Sequence, residues 1–108
     1  MKFNGLVFEP TIVDNVIAGT SHTMLQSDKG KRLRFTNAGA IALDLDTGDL
    51  SDDFFCTILQ EGAGQITIGG TATIEHADDF FVTEKEDVVV GIECTATDVF
   101  LLSGRLVP

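Results

Sequence analysis

Apolar and polar residues alternate along most of this chain with a period of two. Leu33 and Phe35 share one side of the segment 31–36, and Arg32 and Arg34 share the other. Ile41, Leu43 and Leu45 alternate with Ala42, Asp44 and Asp46. Ile66 and Ile68 alternate with Gln65 and Thr67, and Ala72 and Ile74 with Thr73 and Glu75. Val88, Val90, Ile92 and Cys94 continue the pattern. Successive side chains of a strand point to opposite faces, so this alternation predicts strands with one face on a core and one in water. Leu33, Phe35, Leu43, Ile58, Ile66, Ile74, Val90, Ile92 and Leu101 are the expected core.

Short turn signals separate the runs: Asp28-Lys29-Gly30, Asn37-Ala38-Gly39, Asp46-Thr47-Gly48, Gly62-Ala63-Gly64, Gly69-Gly70 and Ala77-Asp78-Asp79. Gly and Asn accept positive φ at such places, and Asp bonds its own backbone. Many short strands with frequent turns predict an all-β fold, a small antiparallel β-sandwich or β-barrel of jelly-roll type. Phe54, Phe55, Ile58 and Leu59 also fit a helical spacing that Ser51, Asp52 and Asp53 would cap. Aromatic and β-branched content and the early stop at Gly62 favour a strand, with room for one helical turn near Leu50–Asp53. The first twenty residues differ in character. Phe3 to Phe8 and Thr11 to Ile17 each read as a strand, interrupted by Pro10. The expected organisation is therefore an arm over 1–20 and a β domain over 21–108. No internal repeat or low-complexity tract is visible.

A length of 108 residues suits one domain that buries roughly two thirds of its unfolded surface. Seventeen acidic residues against seven basic ones give a net charge of −10. Such a surface repels phosphate backbones and anionic lipid, so neither nucleic acid nor membrane is an expected partner. No apolar run approaches the ~20 residues that span a bilayer. The N-terminus has no signal-peptide core before Glu9 and Pro10, which predicts synthesis in a cytoplasm.

Candidate chemistry is sparse. Cys56 and Cys94 lack a Cys-x-x-Cys or Cys/His context and read as two small hydrophobes or, failing that, a cross-strand disulfide. Asp44, Asp46, Asp49, Asp52 and Asp53 make the densest acidic stretch. Gly48 falls one place too early for a calcium loop of the EF-hand kind, so a solvated rim is expected. His22 and His76 stand apart from any Ser-His-Asp pattern. No catalytic, cofactor or metal residue is expected. Four of the seven cations, Lys29, Lys31, Arg32 and Arg34, lie within six positions. On an acidic chain they form a candidate docking patch for an acidic partner or a like subunit.

Three segments carry a resemblance. Lys29-Gly30-Lys31 followed by Leu33-Arg34-Phe35-Thr36-Asn37-Ala38-Gly39-Ala40 resembles a recurring strand pair of tailed-bacteriophage virion proteins. The run Phe55 to Ile68, with Gln60-Glu61-Gly62-Ala63-Gly64-Gln65 at its centre, is similar to their Gly-Ala-Gly-Gln hairpin. Phe100-Leu101-Leu102-Ser103-Gly104-Arg105-Leu106 is similar to their closing strand. Phe100 stands where that strand usually has Trp, Arg105 stands where Asp is usual, and the 47–53 loop is rich in Asp instead of Pro. Related segments occur in head decoration, head-fibre and tail-fibre proteins. The resemblance implies a non-enzymatic structural protein that decorates or cements the capsid exterior, usually as a homotrimer bound to the major capsid protein. A chain running from Met1 to Pro108 without shaft repeats or an anchor fits decoration better than the alternative, a tail-fibre or receptor-binding tip. Phe3, Leu6, Val7 and Phe8, with Lys31, Arg32 and Arg34, are the expected contacts to capsid or neighbouring subunit.

Overall fold

The computed structural model describes residues 13–108. The architecture is all-β: eleven strands in two sheets, and one short 3-10 turn at Gln26–Asp28. The first six strands run as three stacked coils. Each coil places one strand in the first sheet, turns a corner, and places the next in the second. The coils are β1 (Val13–Ile17) with β2 (Ser21–Thr23), β3 (Lys31–Phe35) with β4 (Ile41–Asp44), and β5 (Phe55–Gln60) with β6 (Ile66–Gly69). β1, β3 and β5 are therefore parallel neighbours, as are β2, β4 and β6. This is solenoid-like stacking.

The remaining strands close the two sheets. β7 (Thr73–Glu75) and β10 (Val99–Gly104) pair in parallel. β9 (Val89–Ala96) lies antiparallel between β5 and β10. β8 (Val82–Thr83) and β11 (Leu106–Val107) extend the second sheet antiparallel from β6. The first sheet thus has the order β1-β3-β5-β9-β10-β7, and the second β11-β8-β6-β4-β2.

The antiparallel arrangement expected from the sequence holds for only four of nine pairings among the described residues; five are parallel. The reason is connectivity. A strand that crosses to the other sheet returns in its original direction, and alternation reports only which side faces inward. The Gly-Ala-Gly-Gln segment is likewise a corner between sheets and not a hairpin. It stacks on the Asn37 corner, where Gly62 and Gly64 donate their amide N–H groups to the carbonyls of Phe35 and Asn37 at 3.0 Å each. The stacking leaves no room for side chains. A Cβ on Gly62 would lie 2.4 Å from the Thr36 oxygen, and one on Gly64 1.9 Å from that of Gly39.

One core joins the inner faces of both sheets, with Leu33, Phe35, Ile58, Val90, Ile92, Phe100 and Leu102 from the first and Ile41, Leu43, Ile66 and Ile68 from the second. Leu45, Leu50 and Phe54 close one end of it, with Phe54 edge-on to Phe100. Eight of the nine residues expected inside sit in or against this core, Ile74 only half-buried. Leu101 does not. A register irregularity between Val99 and Phe100 turns Phe100 and Leu102 inward and Leu101 outward. No described helix is long and apolar enough to cross a membrane.

Candidate interaction surface

Of the cations singled out from the sequence, Arg32 and Arg34 sit on the outer face of the six-stranded sheet, whereas Lys29 precedes β3 and pairs with Asp53 and Lys31 is on the side of Leu33 and Phe35. The registers arrange that face in rows across the strands. Val16, Arg34, Leu59 and Val89 form one row, and Asp14, Arg32, Thr57, Gly91 and Ser103 the next. Phe55, Glu93, Leu101 and Glu75 form the third. Lys31, half-buried, shares the side of Leu33 and Phe35 and stands outside these rows.

The guanidinium groups are engaged within the chain. Arg32 donates to both carboxylate oxygens of Asp14, at 2.8 and 3.1 Å. Arg34 grips Glu61 in the same bidentate way, at 2.5 and 2.8 Å, and reaches Asp14 at 3.4 Å. These forked contacts hold the Asp14 and Glu61 carboxyls below their ordinary pKa values and raise that of Arg34. The patch therefore presents paired charge, not bare positive charge. Its partners, Asp14 and Glu61, come from β1 and from the residue after β5, far from Arg34 in sequence.

Beside these pairs the face mixes apolar side chains with Thr57, Ser103, Glu93 and Glu75. Phe55 is 54% exposed, Val16 54% and Val89 50%. Phe55 stands as a ridge between two shallow hollows. One, of about 230 Å3, is lined by Phe55, Cys56, Gly91, Ile92, Glu93 and Ser103. The other, of about 180 Å3, is lined by Gly30, Lys31, Phe55, Cys56 and Thr57. The adjacent pair Phe54-Phe55 at the start of a strand was the available sign, since neighbours on a strand face opposite sides.

The acidic stretch does not converge. Asp46 accepts from the Thr71 amide and hydroxyl, and Asp52 accepts from the Thr97 hydroxyl. Asp53 pairs with Lys29, which lowers its pKa. Among the described residues no group of three potential ligands forms a metal site. Both cysteines are free. Cys56 lies beside the Met24 sulfur, and burial, with a smaller push from Asp28, raises its thiol pKa to about 12. Such a thiol is a poor nucleophile at neutral pH.

One polar cluster went unrecognised in the sequence. Asp28, 1% exposed, accepts from Asn15 Nδ2 at 3.0 Å, from the Leu25 amide at 3.0 Å, and pairs with His22 Nε2 at 2.9 Å. It ties β1, β2 and the 3-10 turn together. A second buried pair, Thr83 and Gln60, bridges the sheets: the Thr83 hydroxyl donates to Gln60 Oε1 at 2.5 Å and accepts from the Ile66 amide.

Phe3, Leu6, Val7 and Phe8, the apolar contacts expected from the sequence, lie outside the described residues. No protein-family model, curated protein or solved structure matches this chain.

Proposed function

We propose that this chain is a bacteriophage structural protein that decorates or cements the capsid exterior, as a homotrimer bound to the major capsid protein and without enzymatic activity. In this reading the chain is made in the host cytoplasm, ends on the virion surface, and needs no cofactor. The observation that carries it is the ordered resemblance of three segments to phage virion proteins. Two of those segments meet specific demands of the fold. The Gly62-Ala63-Gly64 corner permits coils to stack at backbone contact. The closing segment supplies Phe100 and Leu102 to the core and ends in Leu106 of the second sheet. An acidic surface with a net charge of −10 favours a position away from packaged DNA. Broad sheet faces suit docking to other proteins better than to a small molecule.

Quantitative mass spectrometry of purified particles tests the proposal. Decoration predicts a copy number comparable with that of the capsid protein, and labelling over the whole head. A few copies at one vertex would transfer the chain to a tail-fibre or receptor-binding tip. Absence from particles would overturn both.

A further inference from the structure

We propose that the outer face of the six-stranded sheet is where a second copy of this chain docks, with Phe55 of one copy entering the Gly91 hollow of the next. Three features of the face point to a like subunit.

The first is charge. The face carries Arg32 and Arg34 against Asp14, Glu61, Glu75 and Glu93, a net of −2. The whole chain carries −10, so the rest of it holds −8. Most of the chain's negative charge lies in the loops over 46–53, 78–79 and 84–87, so copies that meet through a sheet face bring little of their like charge together. The distribution is also uneven. Arg32 and Arg34 are neutralised by Asp14 and Glu61 on their own flank, and Glu93 and Glu75 lie on β9 and β7 on the far side of Phe55. Copies related by a rotation set the neutral flank of one against the acidic flank of the other and keep the two acidic flanks apart.

The second is relief. Knob and hole lie on neighbouring strands. Gly91 pairs with Thr57 of β5 and Ser103 of β10, and with the Ser103 hydroxyl, 2.7 Å from where a Gly91 Cβ would stand, it floors the larger hollow. The hollow, about 230 Å3 and open to solvent, is wide enough for the edge of a phenyl ring to rest in it.

The third is extent. Six strands at about 4.8 Å spacing and about 20 Å length give a plan area on the order of 500 Å2. Side-chain relief raises the accessible area towards the roughly 600–1,000 Å2 per partner of a specific interface. Exposed Phe55 and Val89, flanked by Leu59 and Leu101, provide the central apolar anchors that such interfaces use.

The inference rests on the self-association part of the proposed function and not on attachment to particles. Sedimentation of the purified full-length chain therefore tests it without virus. The wild type is expected to be oligomeric at 10 μM in 0.15 M salt, on the order of a physiological screening length of 8 Å. Phe55→Ser with Val89→Ser is expected to be monomeric there, with association weakened at least about a hundredfold and an unchanged circular dichroism spectrum. Thr57→Arg, which adds bulk beside both hollows and removes no apolar group, is expected to do the same and serves if the double variant fails to fold. Thr67→Lys on the other sheet is expected to assemble as the wild type does. A wild type that is monomeric at 100 μM, the state expected if residues 1–12 of the same chain covered the face, overturns the proposal. So does unimpaired association of the folded double variant or of Thr57→Arg. Association in solution without particle attachment would keep this interface and remove the virion reading, and attachment as a monomer would do the reverse.

Discussion

The outer faces of the two sheets differ in kind. The five-stranded sheet turns outward a row of Ser21, Ala42, Thr67, Val82 and Val107, small or β-branched residues, with Asp44 and Thr23 beside them. The six-stranded sheet turns outward larger side chains: an exposed phenylalanine, the four aliphatic residues Val16, Leu59, Val89 and Leu101, and two forked arginine–carboxylate pairs. Both faces satisfy the same alternation, and both strands sets bury the same kind of residue on the inside. What separates them is what each outward position would lose in water. Thr and Ser are indifferent to it. Phe55 and Val89 leave apolar area exposed, at roughly 25 cal/mol per Å2, and that cost is recovered only against another surface. A face assembled to be solvated and a face assembled to be covered thus look alike to a pattern of period two, and differ only in side-chain size and charge pairing.

The largest effect that sharpens this contrast lies within one strand. Leu102 faces the core at 2% exposure, and Leu101, its neighbour, faces outward. Leu102→Ala is expected to cost about 2–5 kcal/mol, the usual range for a buried leucine. Leu101→Ala is expected to cost less than about 1 kcal/mol of folding stability, and to show its effect in self-association instead. Urea denaturation of both variants measures the difference. Equal costs would mean that the six-stranded sheet has no distinct outer side at this strand.

The next effect reaches both faces together. Asp28 accepts hydrogen bonds from the edge strands of both sheets, through Asn15 on β1 and His22 on β2. Asp28→Ala leaves those donors and the Leu25 amide without their acceptor, an expected loss of about 1–3 kcal/mol. Hydrogen exchange should locate it: amides of β1 and β2 should open before those of β9 and β10. Loss of protection spread evenly over all strands would show that the first coil is not a separable unit.

How much of this was legible in the sequence follows from what alternation encodes. It encodes inside against outside, and Leu33, Phe35, Leu43, Ile58, Ile66, Val90 and Ile92 are all buried as expected. It does not encode strand direction, which depends on whether a corner returns to the same sheet. It also fails where apolar residues run without a break. In Val99-Phe100-Leu101-Leu102 either register is acceptable, and a local irregularity in pairing decides. The coils escaped detection as repeats because their lengths differ: Val13 pairs with Lys31, but Arg32 pairs with Thr57, across the longer Asp-rich loop. The candidate surface was half legible. Arg32 and Arg34 are marked as outward by their neighbours, whereas Asp14 and Glu61 reach them only through coil stacking. Asp28 carried the signal of a turn residue, and nothing local indicates that the turn is buried.

The smallest expected effect separates the two faces by pH. Asp14 and Glu61 both have folded-state pKa values below their ordinary 3.8 and 4.5, first through their hydrogen bonds to Arg32 and Arg34. The folded chain therefore binds fewer protons at these sites than the unfolded chain near pH 4. The stability they contribute is fully present above the unfolded values and is lost as pH falls through the lowered folded ones. Arg34, its pKa raised by Glu61, stays charged throughout. Arg34→Gln removes the partner of Glu61 and a lesser one of Asp14, and the wild-type advantage should vanish at low pH. The denaturant midpoint of wild type minus that of the variant is expected to be constant from pH 8 to 5 and to shrink below about pH 4. High salt should reduce the difference at pH 7, because these pairs are partly exposed. On the five-stranded sheet the ion pair Arg105–Glu84 lies just beyond β11 and β8 and Thr67 takes part in none, so Thr67→Ala should show no such acid-dependent difference. A wild-type advantage that persists undiminished at pH 2.5 would mean that Arg34 supports this face through the packing of its stem alone.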